Sequence, residues 1–120
     1  MRFQVECFEN VEAFTLDAPT IWTDQHVDRF IKAPLRRVAN LVIEADTSND
    51  VLGTAWEIGN APWNPTDADG VAWPHDKVRS MSSGDVVVVH TPDGTVAYGC
   101  LWFGWTPLPQ LPLSVAAAMA

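Results

Sequence analysis

Cationic residues are scarce in this chain, and none occurs after Arg79. Seven Lys and Arg stand against fifteen Asp and Glu, a formal net charge of −8. The one basic cluster is Arg29, Lys32, Arg36 and Arg37. Affinity for a nucleic-acid backbone is assembled from phosphates neutralised by such cations, so direct DNA or RNA binding is not expected. The cluster reads more simply as a solvated rim or the cationic end of a short helix. Also missing is any apolar run near the ~20 residues that a bilayer span needs. Met1 to Glu6 alternate like a strand and lack an apolar signal core. The expected compartment is therefore the cytoplasm, where Cys7 and Cys100 stay reduced and form no disulfide.

The sets that chemistry requires are thin as well. His26, His75 and His90 are the only histidines, and no His-x-x-x-His or Cys-x-x-Cys spacing is present. Scattered histidines are more often hydrogen-bonded surface residues than metal ligands. Asp67, Asp69 and Asp76 fall in a Pro-rich stretch; the run Asp67-Ala68-Asp69-Gly70 lacks the further acceptors and closing Glu of a calcium loop. No glycine-rich phosphate cradle appears. A nucleophilic Cys–His pair finds no local support. The expectation is a protein without catalytic residues, metal or cofactor.

Tryptophan, by contrast, is abundant. Six in 120 residues (Trp22, Trp56, Trp63, Trp73, Trp102 and Trp105) is a large share for a short chain. Indole rings carry large buried areas and need a home for the N–H, and they are enriched on recognition surfaces. With 48 % apolar and 18 % charged residues, the chain suits one modest globular core.

The pattern predicts an α+β domain over residues 1–106, followed by a flexible Pro- and Ala-rich tail at 107–120. Residues 3–8 alternate as a strand. Val11 to Leu16 is ambiguous and fits a second short strand. Helical spacing covers 24–33, with Asp24 as N-cap and Pro34 as stop. Residues 36–45 form a strand, and 48–59 a helix capped by Thr47 or Ser48, with Val51, Leu52, Ala55 and Trp56 in its apolar stripe. Gly59-Asn60 fits a left-handed C-terminus. Gly53 costs that helix about 1 kcal/mol relative to Ala, which a close approach to the sheet would explain. Residues 61–77 have no period, yet Trp63 and Trp73 argue for order there, since disordered segments rarely hold Trp.

The clearest hairpin follows. A strand over 85–90 turns at Pro92-Asp93-Gly94 and returns over 96–103. The run Val86-Val87-Val88-Val89 implies a central strand covered on both faces. The sheet is thus expected to be small and mostly antiparallel, with the 48–59 helix on one face and the shorter helix elsewhere. Before the valines, Ser82-Ser83-Gly84-Asp85 has tight-turn chemistry, and Arg79 is placed to pair with Asp85 across it. The alternative is that Arg79 and Ser80 contact a ligand.

The segment Arg79-Ser80-Met81-Ser82-Ser83-Gly84-Asp85 running into the valines, then Tyr98, Cys100 and Phe103-Gly104-Trp105, resembles a module of small mobile-element proteins, the YodL-like or KfrB-like type. The likeness spans roughly residues 36–105. Such proteins occur in actinobacterial phages and plasmids, and their preceding helix tends to carry an aromatic and end in Asn, as Trp56 and Asn60 do here. The resemblance implies a phage or plasmid accessory protein acting in the bacterial cytoplasm. Together the readings predict a non-catalytic module that binds a host protein through Trp56, Asn60, Trp63, Trp73, Arg79, Ser80 and Trp105. The sequence also leaves open an acidic nucleic-acid mimic using Glu6, Glu9 and Glu12, a virion component, or a small cysteine enzyme.

Overall fold

The computed structural model describes residues 1–60, 68–71, 73, 79–92 and 94–109. Their strands form a single antiparallel sheet. In chain order the elements are β1 (Arg2–Asn10), a 3₁₀ turn (Asp24–His26) leading into α1 (Val27–Lys32), β2 (Leu35–Glu44), α2 (Ser48–Asn60), β3 (Ala68–Val71), β4 (Val86–Thr91), β5 (Gly94–Cys100) and β6 (Trp105–Pro107). In space the six strands run β3-β2-β1-β4-β5-β6. The α+β architecture expected from the pattern is the one observed.

The valine run decides the layering. Val87 and Val89 join a core beneath α2 with Phe3, Val5, Leu41, Ile43, Val51, Leu52 and Ile58, whereas Val86 and Val88 join a second core with Phe8, Trp22, Phe30, Leu35, Ala97 and Leu108. Because successive strand residues face opposite ways, a four-residue apolar run can serve two cores only from a central, doubly covered strand. α1 covers the second face only at one end. Toward the other end that face becomes polar, with Gln4 opposite His90 and Glu6 hydrogen-bonded to the same imidazole.

β2 serves both layers through a bulge. Pairing with β1 shifts between Cys7 and Phe8, whose partners are Ala39 and Arg37, so Val38 is an extra residue. Leu35 therefore faces the α1 layer while Ala39, Leu41 and Ile43 face the α2 layer.

Several local expectations change. Val11 to Ala18 is a chain of tight turns and not a strand, with Ala13, Thr15 and Ala18 each donating its N–H to the carbonyl three residues back. Thr23, not Asp24, caps the first helical segment, and His26 Nδ1 accepts from the Thr23 N–H. Thr47 caps α2 by accepting from the Asp50 N–H at 3.2 Å. No left-handed residue ends α2 at Gly59-Asn60, since the positive-φ residues among those described are Gly84, Gly94 and Gly104. Gly59 instead makes room for Met81, whose Cβ lies 2.6 Å from where a side chain would begin. Gly53 meets nothing within 4 Å, so close packing does not explain it.

β3 was hidden in the stretch read as period-free. Asp69 and Gly70 are poor strand formers, and the backbone ladder to Asn40–Ile43 at the sheet edge holds them. The return strand also stops early. β5 ends at Cys100, Leu101 donates its N–H to the Gly104 carbonyl at 2.9 Å, and the chain reverses through Trp102-Phe103 into β6. The domain continues past residue 106, because Leu108 is fully buried and donates to the Ala97 carbonyl. Trp63, most of the 61–77 stretch, Asp93 and the tail from 110 lie outside the described residues.

Gly99 illustrates a close approach. A Cβ there would sit 2.8 Å from the ring of Phe30, which is wholly buried. Gly99→Ala should therefore destabilise the fold by about 1–3 kcal/mol through overpacking. Gly53→Ala should stabilise it by about 1 kcal/mol. Urea unfolding of both variants checks this pair of opposite signs.

Candidate functional site: an aromatic hairpin tip

Asp85 is buried at the mouth of β4. Arg79 grips it with both terminal nitrogens, Nη1 at 2.8 Å from Oδ2 and Nη2 at 2.6 Å from Oδ1. The Asn10 and Ser82 backbone N–H groups also donate to its oxygens, at 3.0 and 2.9 Å. Burial pushes the Asp85 carboxyl above its ordinary value, while the hydrogen bond and charge of Arg79 and these N–H donors act against that push. The Ser82–Asp85 turn closes through the Asp85 N–H to the Ser82 carbonyl, and Gly84 supplies the φ of +97° that its second corner needs.

Arg79 is thereby committed to the fold. Its Nη2 also donates to the Asn10 carbonyl, its Nε lies 3.6 Å from Glu9, and its guanidinium sits 4.8 Å from the centre of the Phe14 ring. Of the two sequence readings of Arg79, the pairing with Asp85 describes the geometry. Ser80 beside it is exposed. Trp73 is 3 % exposed and donates its Nε1–H to the Arg79 carbonyl, so it belongs to the α2 core and not to a recognition surface. Asn60 caps its own helix by donating to the Trp56 carbonyl at 3.0 Å.

The other described tryptophans, Trp22, Trp56, Trp102 and Trp105, gather around the β5–β6 reversal. Trp102 and Phe103 form its two-residue tip and are 65 % and 91 % exposed. The tip is fixed by its backbone, since the Trp102 N–H donates to the Trp22 carbonyl at 2.8 Å. On one side lies a hollow of about 370 Å³ walled by Trp22, Thr23, Asp24, Trp102, Phe103 and Trp105. On the other lies a hollow of about 260 Å³ walled by Gly53, Trp56, Cys100, Trp102 and Trp105. Trp22 also lines a third hollow beside the exposed turn residues Phe14 and Leu16. Trp56 and Trp105 of the expected set thus belong to one surface. Trp102 and Phe103 were not in the expected binding set, although Phe103 falls in the Phe103-Gly104-Trp105 string. The signal was present, because two bulky aromatics before Gly104 replace the small polar residues that tight hairpins favour.

Sequence reading also missed a polar chain on the open sheet face. His90 bridges Thr95 Oγ1, 2.9 Å from Nδ1, and Glu6 Oε1, 2.7 Å from Nε2, while Arg37 donates to the other Glu6 oxygen at 3.1 Å. A hydroxyl, an imidazole and a carboxylate in line invite comparison with a nucleophilic triad. None of the hollows described above is lined by these residues, and the groups instead link β1, β2, β4 and β5. Glu9 pairs with Arg36 at 2.9 Å. Two of the three carboxylates that a nucleic-acid mimic would display, Glu6 and Glu9, are therefore spent inside the fold.

Neither cysteine is poised for nucleophilic work. Burial pushes both thiols from 9.0 to about 12, with the Asp85 charge adding to it for each and the Glu6 charge for Cys7. Among the described residues no group of three or more His, Cys, Asp or Glu side chains could hold a metal. No helix among them is long and apolar enough to cross a membrane.

Comparison with known proteins returned no match: no family model, no curated protein and no solved structure resembles this chain. The site therefore has to be read from its own chemistry.

Asp85→Ala should cost about 3 kcal/mol in denaturant unfolding, because Arg79 and two buried N–H groups lose their partner together. The raised thiol values favour the protonated thiol in the folded state. Their stabilising contribution is complete below about pH 9 and is lost as pH climbs toward 12. Native protein should resist iodoacetamide at pH 8, and urea-unfolded protein should react at both cysteines.

Proposed function

We propose that this chain is a small accessory protein, of the kind phages and plasmids carry, that binds a protein of its host's cytoplasm and modulates it without catalysis. The observation that carries the reading is the exposed Trp102-Phe103 tip. Large aromatics at a hairpin turn do nothing for the turn itself, since the backbone bonds of Leu101, Trp102 and Gly104 hold its shape. Aromatic rings left in water at a rigid, protruding point represent apolar area available for burial against a partner. Trp56 and Trp105 flank the tip and extend the same surface. The likeness of the Arg79–Trp105 region to mobile-element modules supports the accessory role, and the inert thiols favour binding over cysteine chemistry.

Trp102→Ala combined with Phe103→Ala tests this directly. The double variant should keep its stability within about 0.5 kcal/mol, because neither side chain packs in a core. Full-length protein immobilised in bacterial host lysate should retain a partner that the variant recovers at least about tenfold less well by quantitative mass spectrometry. Equal recovery of every protein by both would overturn the reading.

A further inference from the structure

The indole N–H groups sort the tryptophans into two kinds. Trp73 donates to a carbonyl inside the fold. Among the described residues, Trp22, Trp56, Trp102 and Trp105 donate theirs to no protein acceptor. Trp22 is the informative case, being only 3 % exposed. No solvent-sealed side-chain nitrogen or oxygen among the described residues lacks a partner, so the Trp22 N–H must reach open space. The open space that Trp22 borders is the hollow it shares with Trp102, Phe103 and Trp105, and the one beside Phe14.

A hollow walled by the rings of Trp22, Trp102, Phe103 and Trp105, with the Asp24 carboxylate at its edge, suits a ligand with flat apolar groups and a cation. Polyproline II backbone supplies the flat groups, with no internal hydrogen bonds, solvated carbonyls, and proline rings that lie against aromatic walls. It also brings few N–H groups of its own to desolvate. The charge points further. Asp24 lines this hollow, no Lys or Arg lines any hollow described above, and the chain carries −8 overall. Arg36, Arg37 and Arg79 are all occupied by internal carboxylates.

We infer that the hollow between Trp22 and the Trp102-Phe103 tip takes a proline-rich segment of a partner protein in polyproline II conformation, with a Lys or Arg of that segment held by Asp24. This rests on the docking role proposed above and names the chemistry of its partner. The chain's own Pro107, Pro109 and Pro112 lie in a stretch with no Lys or Arg, which makes a second copy the poorer occupant.

The test is a titration of ¹⁵N-labelled full-length protein with a synthetic decapeptide holding two Pro-x-x-Pro repeats and one arginine. The indole signals of Trp22, Trp102 and Trp105 should shift while that of Trp73 stays. Trp102→Ala should weaken binding at least about tenfold. Asp24→Asn should weaken it roughly threefold and remove its salt dependence.

Three results overturn the inference. A peptide with alanine for every proline that binds equally well removes the polyproline commitment yet leaves aromatic docking standing. An arginine-to-glutamate peptide that binds as tightly removes the role of Asp24. Indole signals that stay fixed with peptide, or that shift instead with unlabelled second copy, remove the partner segment altogether. In every one of these cases the lysate comparison of the Trp102/Phe103 variant still decides the docking role independently.

Discussion

Asp85 is where the fold's constraints converge. A carboxylate sealed from water is tolerable only when its oxygens are saturated with donors, and the donors here join the end of β1 to the segment just before β4. Asn10 closes β1, Ser82 begins the turn, and Arg79 follows the segment that delivers Trp73 to the α2 core. The residue after Asp85 opens the valine strand that both cores share. Meeting the needs of one buried charge thus sets where β4 enters the sheet, and with it the position of the β5–β6 reversal that carries the exposed aromatics. Cys100 reinforces this placement, since its N–H donates to the Asp85 carbonyl and its carbonyl accepts from Gly84.

How much of this the sequence announces depends on whether the signal is periodic. β1, β2, α2 and β4 were legible because their apolar residues repeat at strand or helix spacing over many positions. The Arg79–Asp85 pair was legible from turn chemistry. β3 was not, because an edge strand stabilised by backbone pairing needs no apolar side-chain pattern. The bulge at Val38 was not, because one extra residue leaves local propensity untouched. The surface was half legible. Counting tryptophans foretold an aromatic face, but composition does not say which indoles turn inward. Trp73 was expected outside and lies inside, tied through Arg79, while Trp102 was left out of the expected binding set and stands at the tip.

The separation between scaffold and surface is clear in the charges. The described arginines of β2 and the 79–85 turn pair with Glu6, Glu9 and Asp85, so these three cations serve the scaffold. What it shows around the tip is uncharged and aromatic, edged by Asp24. Such a surface gains affinity from buried ring area more than from long-range attraction.

The bulge in β2 has an effect on how the sequence tolerates change. Upstream of Val38 the inward residue belongs to the α1 layer, and downstream the inward residues belong to the α2 layer. Deleting that one residue would restore regular pairing and leave every facing as it is, because Arg37 and Ala39 already lie opposite Phe8 and Cys7, which alternate on β1. Leu35 would stay in the α1 layer, and Leu41 and Ile43 in the α2 layer. The bulge therefore gives this strand one residue of slack at Val38. A homologue one residue shorter between Leu35 and Glu44 should still send the first part of the strand to one core and the rest to the other.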